Sequence, residues 1–269
     1  MLSQDKESPI GVFDSGLGGL TVVKALMRQL PDEHIVYFGD TARVPYGTKS
    51  KASIKRFSLE NAQILVNRNV KMIVVACNSS SSYALASLRK KFSLPIIGVV
   101  NPGAQAAVGM STNNRIGVIA TSATISSGVY VKAVKKINSS SCVFTQACPL
   151  FVPLVEEGWL QKKVTYDIAL EYLDPLKRQR VDTLILGCTH YPLLKPVIEK
   201  VMGPAVCLVD SAEAVASQVQ SILKRRKLAR VSNNKRHCQF LISDKPQSFE
   251  NTAKKFIGSD IKVNVLEQS

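Results

Sequence analysis

The chain has 269 residues, 45% of them hydrophobic and 20% charged, with a formal net charge of +15. That length and apolar share suit a globular protein with a sizeable core rather than a small disulfide scaffold. No apolar run approaches the roughly 20 residues a membrane span needs, and the opening "MLSQDKESP" has no apolar signal core, so the expected location is the cytoplasm. In that compartment Cys77, Cys142, Cys148, Cys188, Cys207 and Cys238 are expected to be free thiols, most of them small buried apolar groups.

Short β-rich apolar runs alternate with longer amphipathic segments along the whole chain. The expected strands are 10–13, 34–38, 71–76, 95–100, 115–120, 142–146, 183–187, 206–210, 238–243 and 262–266. The expected helices are about 19–30, 50–69, 80–92, 126–137, 160–179, 192–202, 211–227 and 246–257. Several strands are apolar on both faces, which predicts a parallel sheet covered on both sides. The alternation predicts an α/β architecture. Much of the positive charge falls in "LKRRKLAR" (223–230) and "NKRH" (234–237). The plain reading is a solvated helix end and loop. Contact with nucleic acid through 223–237 is the alternative, but no aromatic residues interleave with the charges.

The chain partly repeats itself. "IGVFDSGLGG" begins at Ile10 and "IGVIATSATI" at Ile116, each a strand followed by small polar residues. Further on, "VVACNSSSS" (74–82) and "LILGCTHYP" (184–192) each end an apolar run in cysteine. Gly11 precedes Cys77 by 66 positions, and Gly117 precedes Cys188 by 71. This self-similarity predicts two related α/β units.

The loop "GLGGLT" (16–21), with Asp40 ending the next strand, invites a dinucleotide reading. Thr21 stands where the third glycine belongs, and Asp14 puts a carboxylate where a pyrophosphate would sit. A tight strand-to-helix turn explains the glycines equally well. The same loop could hold a small amino acid, with Asp14 facing its ammonium and hydroxyls and N–H groups facing its carboxylate.

Ligands of open α/β sheets bind beyond the carboxyl ends of the strands. Cys77 and Cys188 both fall there, each before an expected helix, and a helix N-terminus favours thiolate. Two thiols on two similar units could face one carbon from opposite sides. One would remove a proton from a stereocentre and the other would return a proton to the opposite face, as racemisation or epimerisation requires. The carbanion needs preorganised donors, for which Asn78, Ser79 and Thr189 are placed. Asp14 and His190 could move protons for the neighbouring thiols. Each has a plain alternative: a satisfied histidine, a helix cap, or thiols packed at strand ends. A zinc site at "CTH" lacks further ligands at metal-site spacing. A nucleophilic enzyme built on Cys188 and His190 leaves the Cys77 repeat unexplained. A thiol-dependent isomerase or decarboxylase on the same scaffold also stays open.

At these residues the sequence resembles the glutamate racemase family. The matching motifs are "GVFDSGLGGLTV" (11–22), "YFGDTARVPYG" (37–47), "VVACNSSS" (74–81), "GVIATSATI" (117–125), "CPLFVPLVEEG" (148–158) and "LGCTHYPLL" (186–194). The resemblance implies two pseudo-symmetric α/β domains, with mainly parallel sheets flanked by helices and the active site in the cleft between them. It places the first domain at 1–98 with a C-terminal return at 211–269, and the second at 99–210. It implies interconversion of L- and D-glutamate without pyridoxal phosphate, other cofactor or metal, as a source of D-glutamate for peptidoglycan. By motif position Cys77 and Cys188 are the two bases, the first acting on D-glutamate and the second on L-glutamate, assisted by Asp14 and His190. Asp14, Ser15, Tyr46, Gly47, Asn78, Ser79, Thr189 and His190 match substrate-binding positions, and Thr121, Thr124 and Glu156 match further pocket residues. A homodimer is expected on the same ground. The chain departs from the family's common pattern where Ser79 and Ser80 follow Asn78, and Ser80 adds a polar group near the pocket. Family members that need a cell-wall precursor as activator carry a long N-terminal extension; this chain has none, so no such dependence is expected.

Overall fold

The computed structural model describes residues 5–231, 234, 236–244, 249–258 and 261–266. In chain order the elements run β1 (Ile10–Asp14), α1 (Leu20–Gln29), β2 (Ile35–Gly39), α2 (Lys51–Val66), β3 (Met72–Val75), α3 (Asn78–Tyr83), α4 (Leu85–Lys91), β4 (Ile96–Gly98) and α5 (Val100–Met110). They continue with β5 (Arg115–Ala120), α6 (Ser122–Ser126), α7 (Val129–Ile137), β6 (Cys142–Ala147), α8 (Phe151–Glu156), α9 (Lys163–Arg178), β7 (Thr183–Gly187), α10 (Lys195–Met202) and β8 (Cys207–Val209). The last are α11 (Ser211–Arg225), β9 (Cys238–Ile242), α12 (Phe249–Ile257) and β10 (Val263–Val265). Short 3-10 turns at Thr41–Arg43, Tyr46–Thr48 and Tyr191–Leu194 join some of them.

Two sheets result, with strand orders β10-β9-β2-β1-β3-β4 and β6-β5-β7-β8. Every pairing in both is parallel. The repeat seen in the sequence is visible in this order. β2-β1-β3-β4 and β6-β5-β7-β8 are the same arrangement twice, each with its first strand between the second and third. Gly11 lies opposite Val36 and Ile73, and Gly117 lies opposite Phe144 and Leu184. The strand order reverses between β1 and β3, and again between β5 and β7. A crevice opens at the carboxyl end of such a reversal. Asp14 ends β1 and Cys77 follows β3; Thr121 follows β5 and Cys188 follows β7. Chain topology thus delivers both cysteines to equivalent crevices.

All ten expected strands form, with bounds that shift by a few residues. The helices needed more correction. Val100 belongs to α5, not to a strand, and α5 had not been expected because Pro102 and Gly103 mask its pattern. Proline is tolerated in a first helical turn, where its missing N–H would have no partner. The expected helix at 80–92 is two, divided at Ala84 and beginning at Asn78, directly after Cys77. Gly128, at φ 65°, separates α6 from α7. Residues 246–248 of the last expected helix lie outside the described residues.

The core is continuous between the two sheets. One apolar cluster includes Ile10, Leu20 and Tyr37 of the first unit, Val215 and Val219 of α11, and Phe151, Leu184 and Leu194 of the second. Side chains in such a cluster exclude water from both units together.

The amino ends of the first sheet's strands carry a buried ion cluster. Lys71 Nζ lies 2.5 Å from Glu33 Oε2 and donates to the carbonyls of Lys6 and Leu228 at 2.7 and 3.0 Å. Burial pulls the Lys71 ammonium below its ordinary value, and Glu33 opposes that pull. Arg230 donates its backbone N–H to Glu33 Oε1 at 2.9 Å, and its side chain reaches Glu7 and the Asp32 carbonyl, each at 2.8 Å. The reading of 223–237 as a solvated basic stretch is therefore corrected at two residues. Arg230 is buried, and Arg236 donates to the Met27 carbonyl at 2.6 Å. Lys224, Arg225, Arg226 and Lys227 are exposed. Replacing one member of a buried pair strands the other charge, at a cost of about 3–5 kcal/mol. Lys71→Met is accordingly expected to lower unfolding free energy in urea by about 3 kcal/mol, and adding Glu33→Gln should recover part of it. A Lys71→Met midpoint equal to wild type would show that the pair contributes nothing.

Candidate active site

The turn after β1 brings a buried carboxylate to the crevice. Asp14 is fully buried, and its Oδ2 accepts the Gly16 N–H at 3.1 Å. Its Oδ1 accepts from Thr189 Oγ1 of the second unit at 3.5 Å. Burial raises the Asp14 carboxyl above its ordinary value, against the attraction of His190 and the N–H groups of Gly19, Gly16 and Ser15. The glycines of this turn have a steric reason. A Cβ on Gly18 would lie 2.2 Å from Thr189 Oγ1 and 2.7 Å from His190 Nδ1, so only glycine lets the second unit come this close. The dinucleotide alternative loses its acidic partner as well, because Asp40 is buried and accepts from Arg43, Tyr46 and Ser243.

Cys77 caps α3 and is buried, with its thiol directed at Ser15 Oγ at 3.6 Å. A helix N-terminus favours thiolate, but other groups oppose it here. Burial and then the charge of Asp14 push the Cys77 thiol up to about 11, against weaker help from Ser80 and Ser15. Ser80 is turned toward α2, where it accepts from Ser58 Oγ at 2.9 Å. It is absent from the residues lining the cavity.

Across the crevice, Cys188 Sγ lies 3.9 Å from His190 Nδ1, and His190 Nε2 lies 3.2 Å from Glu156 Oε1. Burial works against a charged imidazole, but the hydrogen bonds and charges of Cys188 and Glu156 outweigh it and push His190 up to about 10. These surroundings thus favour the charged form of His190, which is buried beside Cys188.

Both thiols line one small cavity together with Ser15, Tyr46, Gly47, Asn78, Ser79, Thr121, Thr189 and His190. The cavity measures about 20 Å³, room for roughly one water. Asp14, Thr124 and Glu156 stand one layer behind this wall. Asp14 bonds to Thr189, Thr124 to Ser79 at 3.3 Å, and Glu156 to His190. Ser79 also meets Thr121 at 3.1 Å, so hydroxyls of both units touch. A Cβ on Gly47 would sit 2.5 Å from Thr121 Cβ, which makes that position another close contact between the units.

Sequence reasoning missed several participants. Val44, Pro45 and Val152 complete the wall. Tyr46 donates to Asp40 and accepts from Asn61 Nδ2 at 3.0 Å, so Asp40, Arg43 and Asn61 hold the Tyr46 ring from behind. Tyr130 OH donates to Asn78 Oδ1 at 2.7 Å across the crevice. Nothing in the local pattern marks Asn61 or Tyr130, since they lie 15 and 52 positions away from the residues they serve. Among the described residues, no group of three or more His, Cys, Asp or Glu is arranged to hold a metal, which leaves the zinc reading of "CTH" without support.

This arrangement suits proton transfer at a carbon held between two thiols, with an imidazolium and several hydroxyls facing developing negative charge. Comparison with known proteins gives the family of the chain. Residues 10–219 match the family model described as Asp/Glu/Hydantoin racemase. The glutamate racemase of Geobacter metallireducens is 49% identical over 252 residues, covering 94% of this chain and 93% of that one. The glutamate racemase of Francisella tularensis, solved in complex with D-glutamate, superposes with a TM-score of 0.92 at 38% identity, covering 97% and 98% of the two chains. The RacE1 isoform from Bacillus anthracis gives 0.93 at 38% identity with the same coverage. By these matches the chain belongs to the glutamate racemases of the Asp/Glu/hydantoin racemase family.

Proposed function

We propose that this racemase interconverts L- and D-glutamate with Cys77 and Cys188 as two opposed bases. The observation that carries the reading is that cysteines from corresponding positions of two like units line one small cavity. For D-glutamate, the Cys77 thiolate takes the Cα proton, and the Cys188 thiol gives its proton to the opposite face. For L-glutamate the roles exchange. One C–H bond breaks and one forms, so no net oxidation or reduction occurs.

The Cα–H beside a carboxylate is a weak acid, and charge that develops on the carboxylate must be met by fixed donors. The His190 imidazolium, the Asn78 amide and the hydroxyls of Ser79, Thr121 and Thr189 supply them in this reading. Asp14 accepts hydrogen bonds from the substrate ammonium or moves the proton of Cys77. A glutamate is far larger than the space of about 20 Å³ between the walls. Entry therefore requires the two units to part, and chemistry requires them to close again, as a lid does elsewhere. The strand order supports a division into a first domain at 1–98 and 211–269 and a second at 99–210. By family likeness the product supplies D-glutamate to peptidoglycan in the cytoplasm, and the protein works as a homodimer. No described helix is long and apolar enough to cross a membrane.

The reading is tested by following optical rotation of L-glutamate without added cofactor, and by NMR of the Cα–H in D2O. Loss of rotation with deuterium at Cα is expected; glutamate left unchanged would overturn it. Cys77→Ala and Cys188→Ala should each lower racemisation at least about a hundredfold, and retention of the rate by either variant would rule out two bases. The kcat/KM for D-glutamate reports ionisations of the free enzyme. With the Cys77 thiol at about 11, its thiolate fraction grows about tenfold per pH unit below that value, so kcat/KM should climb steeply from pH 7 to 9. A flat profile would mean that another group is the base. Gly47→Ala should block closure and lower kcat/KM about ten- to a hundredfold with little change in melting temperature; unaltered kinetics would show that the contact with Thr121 is dispensable.

A further inference from the structure

Asn78 immediately follows Cys77 and faces the cavity, yet it is held by a residue that the other unit contributes. Tyr130, on α7, is 3% exposed, and its hydroxyl donates to Asn78 Oδ1 at 2.7 Å. Asn78 is itself 3% exposed. A buried phenol proton must find an acceptor, because leaving it unpaired costs the desolvation of the group with nothing in return. Among the described residues Asn78 Oδ1 is the acceptor it has. An asparagine amide offers an oxygen that only accepts and a nitrogen that only donates. If Asn78 turned its Nδ2 toward Tyr130, the phenol proton would have no partner. The phenol therefore selects one of two nearly isosteric amide orientations. That orientation leaves Nδ2, which has no hydrogen-bond partner among the described residues, to face an anionic ligand in the cavity.

We infer that Tyr130 is a positioning residue that turns the Asn78 amide so that its NH2 meets the substrate carboxylate, and that it does so only while the two units are apposed. The inference rests on the racemase reading above for the identity of that carboxylate. Its structural content is independent of it. Tyr130 comes from the unit that carries Cys188, and Asn78 from the unit that carries Cys77. Parting the units breaks the bond and frees the amide to turn over. Closing them restores a donor pair aimed at the carboxylate at the moment Cα needs it. Tyr130 does not itself line the cavity, and its hydrogen bond to the lining is the one to Asn78. A phenol also stays in its donating form here, since burial pushes its ionisation well above the ordinary range.

Tyr130→Phe removes the hydroxyl and keeps the ring, so the packing of α7 is retained. It is expected to lower kcat/KM for both enantiomers about tenfold, chiefly through KM. In an Asn78→Ala background the same change should cost nothing further, because the group it orients is gone. Costs that multiply instead would show that Tyr130 acts by another route, and a Tyr130→Phe enzyme with wild-type KM would overturn the inference. A second measurement needs no turnover. The side-chain NH2 signals of Asn78, assigned by their loss in Asn78→Ala, should shift and broaden in Tyr130→Phe while signals of remote residues stay in place. Unmoved Asn78 signals would sink the inference even in an active racemase, whereas an inert wild-type enzyme with moved signals would sink only the assignment of glutamate.

Discussion

Two parallel sheets meet at the carboxyl ends of their strands, and nothing in the site works unless they meet closely. The contact is made where side chains are missing. Gly18 lets Thr189 and His190 approach its backbone, and Gly47 admits Thr121. Among buried side chains like these, each charge and each fixed donor counts for more than in water. The same closeness makes Asp14 a partner of Thr189, Ser79 a partner of Thr121, and Asn78 a partner of Tyr130. Every one of these bonds joins the two units. The contact between the sheets and the construction of the site are therefore one feature.

The ionisable groups of the cleft are not equivalent, although the units that supply them are alike. Cys77 sits beside a carboxylate, and its proton is held tightly. Cys188 sits beside an imidazole that Glu156 helps keep charged. The two crevices share a backbone plan but differ in the residues that back them, Asp14 and Ser15 on one side and His190 and Glu156 on the other. A stereocentre whose two faces meet different partners fits a reaction in which the two directions start from different thiols. At the opposite end of the first sheet, charge has another use. Glu33, Lys71 and Arg230 join the approach to β2, the start of β3 and the returning chain after α11. Part of the excess positive charge of the sequence is thus taken up inside the protein.

The repeat was legible from the sequence because strands announce themselves by short apolar runs, and because a cysteine after such a run falls at the end of a strand. The α/β class, all ten strands, the doubling of the units and the two thiols followed from that pattern. The helix with Pro102 and Gly103 in it was hidden, since those residues interrupt the apolar period without preventing a helix in a packed setting, and Gly128 separates α6 from α7 within a segment that reads as one helix. The basic stretch at 223–237 looked uniformly solvated, yet Arg230 is buried, because its acidic partners lie about two hundred positions away in the chain.

By itself, then, the sequence determined which segments become strands, that they repeat, and that two cysteines end equivalent strands, because all of this depends on neighbours close in the chain. Only the tertiary structure decided what stands behind each working residue. Tyr130 is brought behind Asn78 by the meeting of the two units, and Asp40 and Asn61 behind Tyr46 and Glu156 behind His190 by the folding of each unit on itself. The ionisation of the groups in the cleft was decided there too. A thiol at the start of a helix reads locally as a ready thiolate, but burial and a carboxylate contributed by another strand hold Cys77 in its protonated form. Desolvation depends on what covers a group, and what covers it is settled only when the chain has closed.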